Sequence, residues 1–385
     1  MPDPSEADLK AIAERFQLPA PVARIRPLGN GNVNRTYLVE LAVAGPEPQP
    51  PQALVLQALN TRVFPQPRLV MANMRRVTEH LQQRLAASPA LLQGRSWRTP
   101  QLLPALTGGD PWHEDASGFW RLTTFLEDCD SPETVREASL AEEIGRALGT
   151  FHRLISDLPA EDLADTLEGF HVTPGYLRHY QAVCLDPRPR PDPAGEGPAA
   201  AELAWAQQFV RQRQGSVEVL ERARAEGRLR LRPIHGDPKV NNVLLQRSSG
   251  QAVALIDLDT VKPGLIHYDL GDCLRSVANP LGEETGDWRV VRFEAELGEA
   301  LLRGYGAMAG AVLTDDEVEL VFDAVRLIAF ELGLRFLTDH LAGDVYFRSE
   351  GPGHNLRRAL VQFQLTASIE AQEALIRAAA LRAMR

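Results

Sequence analysis

At 385 residues the chain exceeds one ordinary hydrophobic core, which calls for two domains or two lobes around a cleft. Its net charge of −10 argues against a nucleic-acid binder, whose affinity rests on neutralising phosphates. Three cysteines, Cys129, Cys184 and Cys273, lack metal-ligand spacing and suit a reducing cytosol better than a disulfide scaffold.

Residues 5–16 read as a short helix; the acidic, amphipathic start is not a signal peptide. ARIRPLGNGNVNRTYLVELAV predicts a strand to about Leu28, a glycine–asparagine turn and a second strand from Thr36 to Val43. AGPEPQPPQ is a loop, ALVLQAL a third strand, and residues 67–86 a helix. WRTPQLLPAL and GFWRLTTFLED predict further strands. After Asp130 the period becomes helical, with Leu140, Ile144, Leu148, Phe151 and Leu154 on one face. Ser131 is the predicted cap and Pro132 the first helical residue. PRPRPDPAGEGP, 187–198, is a proline-rich surface excursion. Helix resumes over 199–226 and again from 286 to the end.

The most apolar long segment, Val318 to Leu337, carries Glu319, Asp323, Arg326, Glu331 and Arg335, so it predicts a core helix and no membrane span. The expected fold class is α+β, with a β-rich amino-terminal lobe, 1–127, and a larger, mainly helical lobe, 128–385.

Between these helical regions stands RPIHGDPKVNNVLL, an unusual concentration of polar side chains between apolar runs. NVLLQRSSGQAVALIDLD predicts a hairpin turning at Ser248-Ser249-Gly250. With Ser249 and Gly250 central, Asn242 faces Asp257, and opposed residues have α-carbons roughly 4.5–5.5 Å apart. An amide oxygen and a carboxylate then converge, both hard ligands of the kind Mg²⁺ accepts. Asp237 enters the same space from the preceding loop. Two carboxylates with separate tasks suit phosphoryl transfer: one holds metal on the nucleotide phosphates, the other accepts a hydroxyl proton. Lys239 stands two residues after Asp237 and is one of three lysines in the chain, with Lys10 and Lys262. It is placed to lie over the transferred phosphate. A hairpin with a solvated polar end is the competing reading of any one of these residues. His235 reads as a brace for the loop backbone, and Asp259 as either a second metal ligand or a cap on the strand.

HGDPKVNN, LIDLDTVKPG and YDLGD together resemble the aminoglycoside phosphotransferase and choline kinase superfamily, which has a protein-kinase-like fold. GNGNVNRTYLV, LNTRVFP, LIDLDTVKPGLIHYDLGDCLRS and LGLRFLTDHLAGDVYF extend the likeness over most of the chain to the N-acetylhexosamine 1-kinase group. The resemblance implies an ATP- and Mg²⁺-dependent kinase acting at the anomeric hydroxyl of a free sugar. It implies Asp237 as base, Asn242 and Asp257 as Mg²⁺ ligands, and Asp269 as a brace for the catalytic loop. It puts the turn Gly29, Asn30, Gly31 over the phosphates, where glycines allow close backbone approach. Thr124, Phe125 and Leu126, on to Glu127, become the adenine-facing hinge.

Two departures stand out. Many kinase-fold enzymes carry a lysine on the third strand for the nucleotide phosphates, and Gln57 holds that position here; Arg62, Arg68 and Arg75 are candidates to compensate. The hexosamine kinases share the glutamine and read G-x-G-H-I-N in the loop. Here Asn32 replaces the histidine near the sugar, followed by Val33 and Asn34. Asn32 and Asn34 are the candidate sugar contacts, and Ser276 replaces an aromatic expected after Arg275, itself a candidate contact.

Thr314 and Glu317 form a capping box, and the helix it opens has Val318, Val321, Phe322, Val325, Ile328 and Leu332 as its stripe. Arg335 falls on that stripe. It either bridges to Glu331 one turn back or reaches the cleft as a sugar contact. The family pattern favours the second and adds Tyr346. An aminoglycoside or small amino alcohol is the alternative acceptor, and a nucleotide-binding regulator without turnover the alternative class. No P-loop G-K-[ST], G-x-S-x-G or H-E-x-x-H occurs.

Overall fold

The computed structural model describes residues 4–29, 33–42, 53–186 and 198–384. The proline-rich stretch 187–197 lies outside them.

Helix α1 (Glu6–Ala13), closed by a capping box between Ser5 and Asp8, leads into β1 (Val22–Pro27). Strands β2 (Arg35–Leu41), β3 (Ala53–Leu59), β4 (His113–Asp115) and β5 (Gly118–Thr124) complete an antiparallel sheet ordered β1-β2-β3-β5-β4. Alternation splits its two faces. Val39, Leu54, Leu56, Trp120 and Leu122 pack against Leu9, Ile12 and Phe16. Gln57 and Arg121, directly opposed across β3 and β5, point to the other face. Helix α2 (Pro67–Ala87) follows β3, and its Met71, Met74, Val77 and Leu81 join the main core of the helical region. WRTPQLLPAL is not a strand. It gives isolated bridges, Leu102 with Thr123 and Ala105 with Phe16, because Pro100 and Pro104 have no N–H to extend a ladder.

Beyond β6 (Cys129–Asp130) the chain is mainly helical. Helix α3 (Ala138–Leu154) starts later than predicted, because the Ser131 hydroxyl donates to the Asn241 carbonyl and leaves the helix uncapped by it. Helix α4 (Thr173–Leu185) follows. The helix predicted over 199–226 is two, α5 (Pro198–Arg213) and α6 (Val219–Ala225), separated by a 3-10 turn at Gln214–Ser216. Four short strands, β7 (Arg232–Ile234), β8 (Val243–Gln246), β9 (Ala252–Leu255) and β10 (Lys262–Gly264), carry the polar loops. Helices α7 (Ile266–Val277), α8 (Ala295–Ala309), α9 (Asp315–Glu319), α10 (Val321–Ala342), α11 (His354–Glu370) and α12 (Glu373–Ala383) finish the chain. The capping box at Thr314 and Glu317 opens α9, and the apolar stripe continues into α10.

This antiparallel sheet followed by a helical region is the α+β class expected from the sequence. Among the described residues no helix is long and apolar enough to cross a membrane.

The hairpin forms with a different register. Val243 pairs with Leu255 and Leu244 with Ala254, and a bulge precedes the Leu245–Ala252 pair. Ile256, not Asp257, therefore faces Asn242, with its N–H donating to the Asn242 carbonyl at 2.9 Å. Asp257 lies one residue further on, in left-handed backbone at φ 66°.

Candidate active site

The loop from β7 to β8 is held from below by α7. Asp269, fully buried, accepts from the His235 amide at 2.7 Å and the Gly236 amide at 2.8 Å. Its second partner layer is His152, 2.8 Å away, which also meets the Tyr305 hydroxyl. Burial alone would raise the Asp269 pKa, but the His152 hydrogen bond and the nearby histidines hold it below the ordinary carboxylate value. Two turns along the same helix, the Ser276 hydroxyl accepts from the Val240 amide. The serine that replaces the expected aromatic thus supports the loop. Gly236 has φ 87°, and a Cβ there would come within 2.6 Å of the Thr260 carbonyl. His235 braces backbone: Nε2 donates to the Ile256 carbonyl at 2.9 Å, and Nδ1 accepts from the Asp237 amide at 3.3 Å. Burial lowers its pKa, in keeping with a neutral ring.

On this frame Asp237, Lys239, Asn242 and Asp257 meet. Lys239 Nζ is 2.5 Å from Asp237 Oδ2. Burial opposes the lysine's charge, but Asp237 and then Asp257 outweigh it and raise its pKa. Asn242 donates its amide to the Asp237 carbonyl at 2.7 Å, which leaves its Oδ1 as the atom it can offer a cation. Asp257 is open to solvent, yet the protein mass around it and the charges of Asp259 and Asp237 push its pKa to about 6, against Lys239 and Arg121. A carboxylate reachable by solvent but crowded by like charge is a place where a cation is stabilising. Among the described residues no group of three His, Cys, Asp or Glu side chains forms a metal cluster. Mg²⁺ commonly takes one or two protein ligands and completes its shell with water and phosphate oxygens. Asn242 Oδ1 and Asp257 are the donors suited to it.

Of the residues expected to face nucleotide, Gly29 has φ 69° with open space around its Cβ position; Asn30, Gly31 and Asn32 lie outside the described residues. Thr124 ends β5, with Gln101 bonded to both its amide and its hydroxyl, and the Phe125 amide donates to the Ala53 carbonyl. Both line an open cleft of about 720 Å³ that also touches Leu54 and Arg98, but not Leu126. Asp237, Asn242 and Asp257 do not border that cleft. Gln57 is engaged by neighbours within the sheet. Its Oε1 accepts from Arg121 Nε and Nη2 at 2.9 and 2.7 Å, and its amide donates to Thr36. Of the arginines considered as compensation, Arg68 pairs with Glu114 and Arg75 with Glu79 at the surface, and Arg62 is exposed. The buried cation in this region is Arg121, which sequence reasoning passed over. A charged residue in the otherwise apolar run GFWRLTTF was the available signal.

Two of the candidate acceptor contacts are turned inward. Asn34 bonds Asp259 at 2.5 Å through its amide and accepts from the Asn60 N–H. Arg275 is buried, with Nε and Nη2 on Asp272 Oδ1 and Nη1 on Glu283 at 2.7 Å. Both side chains have stronger local partners than an open cleft provides. Arg335 does not bridge to Glu331, which accepts instead from His171 at 2.9 Å and Thr173 at 2.8 Å. Its guanidinium lies 5.1–5.4 Å from the ring centres of Phe170, Tyr176 and Phe347. Tyr346 stands beside it, 61% exposed, its amide held by Asp339. His171 was not foreseen. It has φ 65°, and its Nε2 donates to the Gly236 carbonyl at 2.9 Å while Nδ1 meets Glu331.

The pattern of the family described as "phosphotransferase enzyme family" matches residues 24–313. Among solved structures, the chain is similar to an aminoglycoside phosphotransferase from Alicyclobacillus acidocaldarius, with TM-score 0.60, 14% identity and 95% of each chain covered. It is similar to a microcompartment-associated aminopropanol kinase, at TM-score 0.53 and 17% identity over 95% of this chain and 97% of that one. Choline kinase from Cryptosporidium parvum aligns at TM-score 0.52 and 13% identity over 93% and 91%. At such identities the likeness is one of fold. The family pattern, which spans most of the chain and includes the Asp237–Asp257 segment, carries more: this protein belongs to the phosphotransferase enzyme family and transfers a phosphoryl group to a hydroxyl of a small molecule.

Proposed function

We infer that the acceptor is a free sugar, a hexose or N-acetylhexosamine, phosphorylated by ATP at its anomeric hydroxyl. The observation that carries this reading is the pairing of charge on the acceptor side. A cationic acceptor calls for unpaired carboxylates. Here Asp272 is bound to Arg275, Glu283 to Arg275 and Arg358, Glu284 to His354 and Arg358, and Glu331 to His171. Arg335, by contrast, is faced by aromatic rings. A guanidinium beside aromatic faces suits hydroxyl oxygens and the apolar face of a pyranose.

In this reading Asp237 accepts the hydroxyl proton as the sugar oxygen attacks the γ-phosphorus. The bond from that phosphorus to the bridging oxygen breaks, and ADP leaves. Lys239 leaves Asp237 for the transferred phosphoryl oxygens, which frees the base when the charge arrives. Asn242 and Asp257 hold Mg²⁺, which when bound neutralises charge on the nucleotide phosphates. The sparse, odd count of cysteines in the sequence supports a cytoplasmic enzyme.

One observation favours an amino alcohol or aminoglycoside instead. Asp272 Oδ2 is buried with no hydrogen-bond partner, and an ammonium would satisfy it. The similar proteins named above include an aminopropanol kinase and an aminoglycoside phosphotransferase. ADP release measured over a panel of hexoses, N-acetylhexosamines, amino alcohols and aminoglycosides, with NMR of the product, separates these readings. Turnover with a sugar and a 1-phosphate product supports the first. Turnover confined to amines overturns it, and MgATP binding with no turnover points to a regulator.

A further inference from the structure

The absence of a β3 lysine leaves a question that Arg121 answers. Its side chain is almost wholly buried, on the sheet face turned toward α2 and the loop after β9. Four contacts fix the guanidinium. Nε and Nη2 both donate to Gln57 Oε1, and Nη1 donates to Asp259 Oδ1 and to Met74 Sδ. Asp259, 3% exposed, closes the network by accepting from Asn34 at 2.5 Å. One buried cation therefore ties β2, β3, β5 and α2 to the short loop that carries Asp257.

Such a pair is a poor device for stability alone, because the desolvation of both charges offsets their attraction. What it does well is fix geometry, since a planar fork satisfies the amide and the carboxylate at once only in one arrangement. Gln57 is the complement to this fork. A lysine at 57 would stand directly opposite Arg121 and set two cations against each other. Glutamine at 57 and arginine at 121 thus form one solution, exclusive of the usual one. In protein kinases the corresponding cation is on β3 and pairs with a helix glutamate.

We propose that Arg121 is the positioning residue of the nucleotide–metal site: acting through Asp259, it sets the Asp257 loop against the sheet. It touches neither nucleotide nor metal. The inference rests on the nucleotide reading above, and the experiment keeps the two apart.

Calorimetric titration of the full chain with MgADP, and with ADP in chelator, is the test. The variants are Arg121→Gln, Arg121→Lys, and the doubly neutral Arg121→Gln/Asp259→Asn. The double variant leaves no buried charge unpaired, so it keeps the fold even where the single one does not. The expected result is MgADP binding weakened ~10-fold or more, the scale for lost outer-shell support of a metal site, with metal-free ADP binding little changed. Arg121→Lys keeps the charge without the fork and falls between. Where Arg121→Gln folds, it should bind as weakly as the double variant, because both remove one interaction. A folded double variant with wild-type MgADP affinity overturns the inference, as does equal weakening of MgADP and ADP. Failure of the unaltered protein to bind MgADP would instead overturn the nucleotide reading.

Discussion

Lys239 Nζ and Asp237 Oδ2 lie 2.5 Å apart, so the candidate base and its nearest cation form an ion pair before any substrate is present. The pair holds Asp237 oriented, and it dissolves only when a more negative group competes for the lysine. Asp237→Asn should therefore lower kcat by ~10²–10⁴-fold, the range for a lost general base, while MgATP affinity stays within a few-fold. Single-turnover kinetics with a calorimetric Kd would check both; retained kcat would remove Asp237 from the chemistry.

Asp269 and His152 are coupled to the loop above them. Asp269→Ala leaves the His235 and Gly236 amides and His152 without their acceptor, all in the interior. Breaking a buried pair of this kind costs about 3–5 kcal/mol. Urea unfolding should read that loss, and a change below about 1 kcal/mol would mean the loop is held elsewhere.

His171 supplies a pH dependence. Its two ring nitrogens face a carbonyl, which only accepts, and the Glu331 carboxylate, so both nitrogens donate and the ring is cationic. Burial opposes that charge, but Glu331 outweighs it and raises the pKa above the ordinary 6.5, with Asp272 adding to the effect. Tyr268 packs on the ring and Arg335 is one turn from Glu331. A raised folded-state pKa means a contribution fully present below pH 6.5 and lost as pH rises through the folded value. Unfolding free energies of the unaltered protein and His171→Gln should thus differ most below pH 6.5 and converge on the alkaline side. A difference independent of pH would mean that the ring is neutral.

Arg335→Ala should raise the acceptor KM by ~10-fold or more with little change in nucleotide affinity, the pattern of a lost binding contact. Arg335→Lys should recover only part of it, since an ammonium cannot reproduce the planar fork. If instead kcat falls and KM holds, Arg335 supports the loop and not the acceptor.

Much of the site was legible because it is local. HGDPKVNN, the hairpin and LIDLD lie within one stretch of chain, and side-chain type with turn chemistry limits how they can converge. Even there the register was misjudged: the Gln246 amide donates to the Gln251 carbonyl, so the turn centres on Ser248 and Ser249, and the bulge at Leu244/Leu245 then brings the pairing back to within one residue of the expected one. Arg275 and Asn34 were taken as cleft-facing because a polar residue near a motif looks available. Asp272 with Glu283, and Asp259 with Asn60, had first claim on them.

The sequence by itself determined the α+β order of elements, the kinase-like character of the polar loop, and the identity of the residues with chemistry to offer. Only the tertiary structure decided which of them are already spoken for. Arg121 and Asp259 are 138 positions apart, Asn34 and Asp259 225, and His171 and Gly236 65. Local propensity acts over a few residues, whereas the role of a buried charge is set by the partner that compensates its lost hydration. That partner is chosen by the packing of the whole chain.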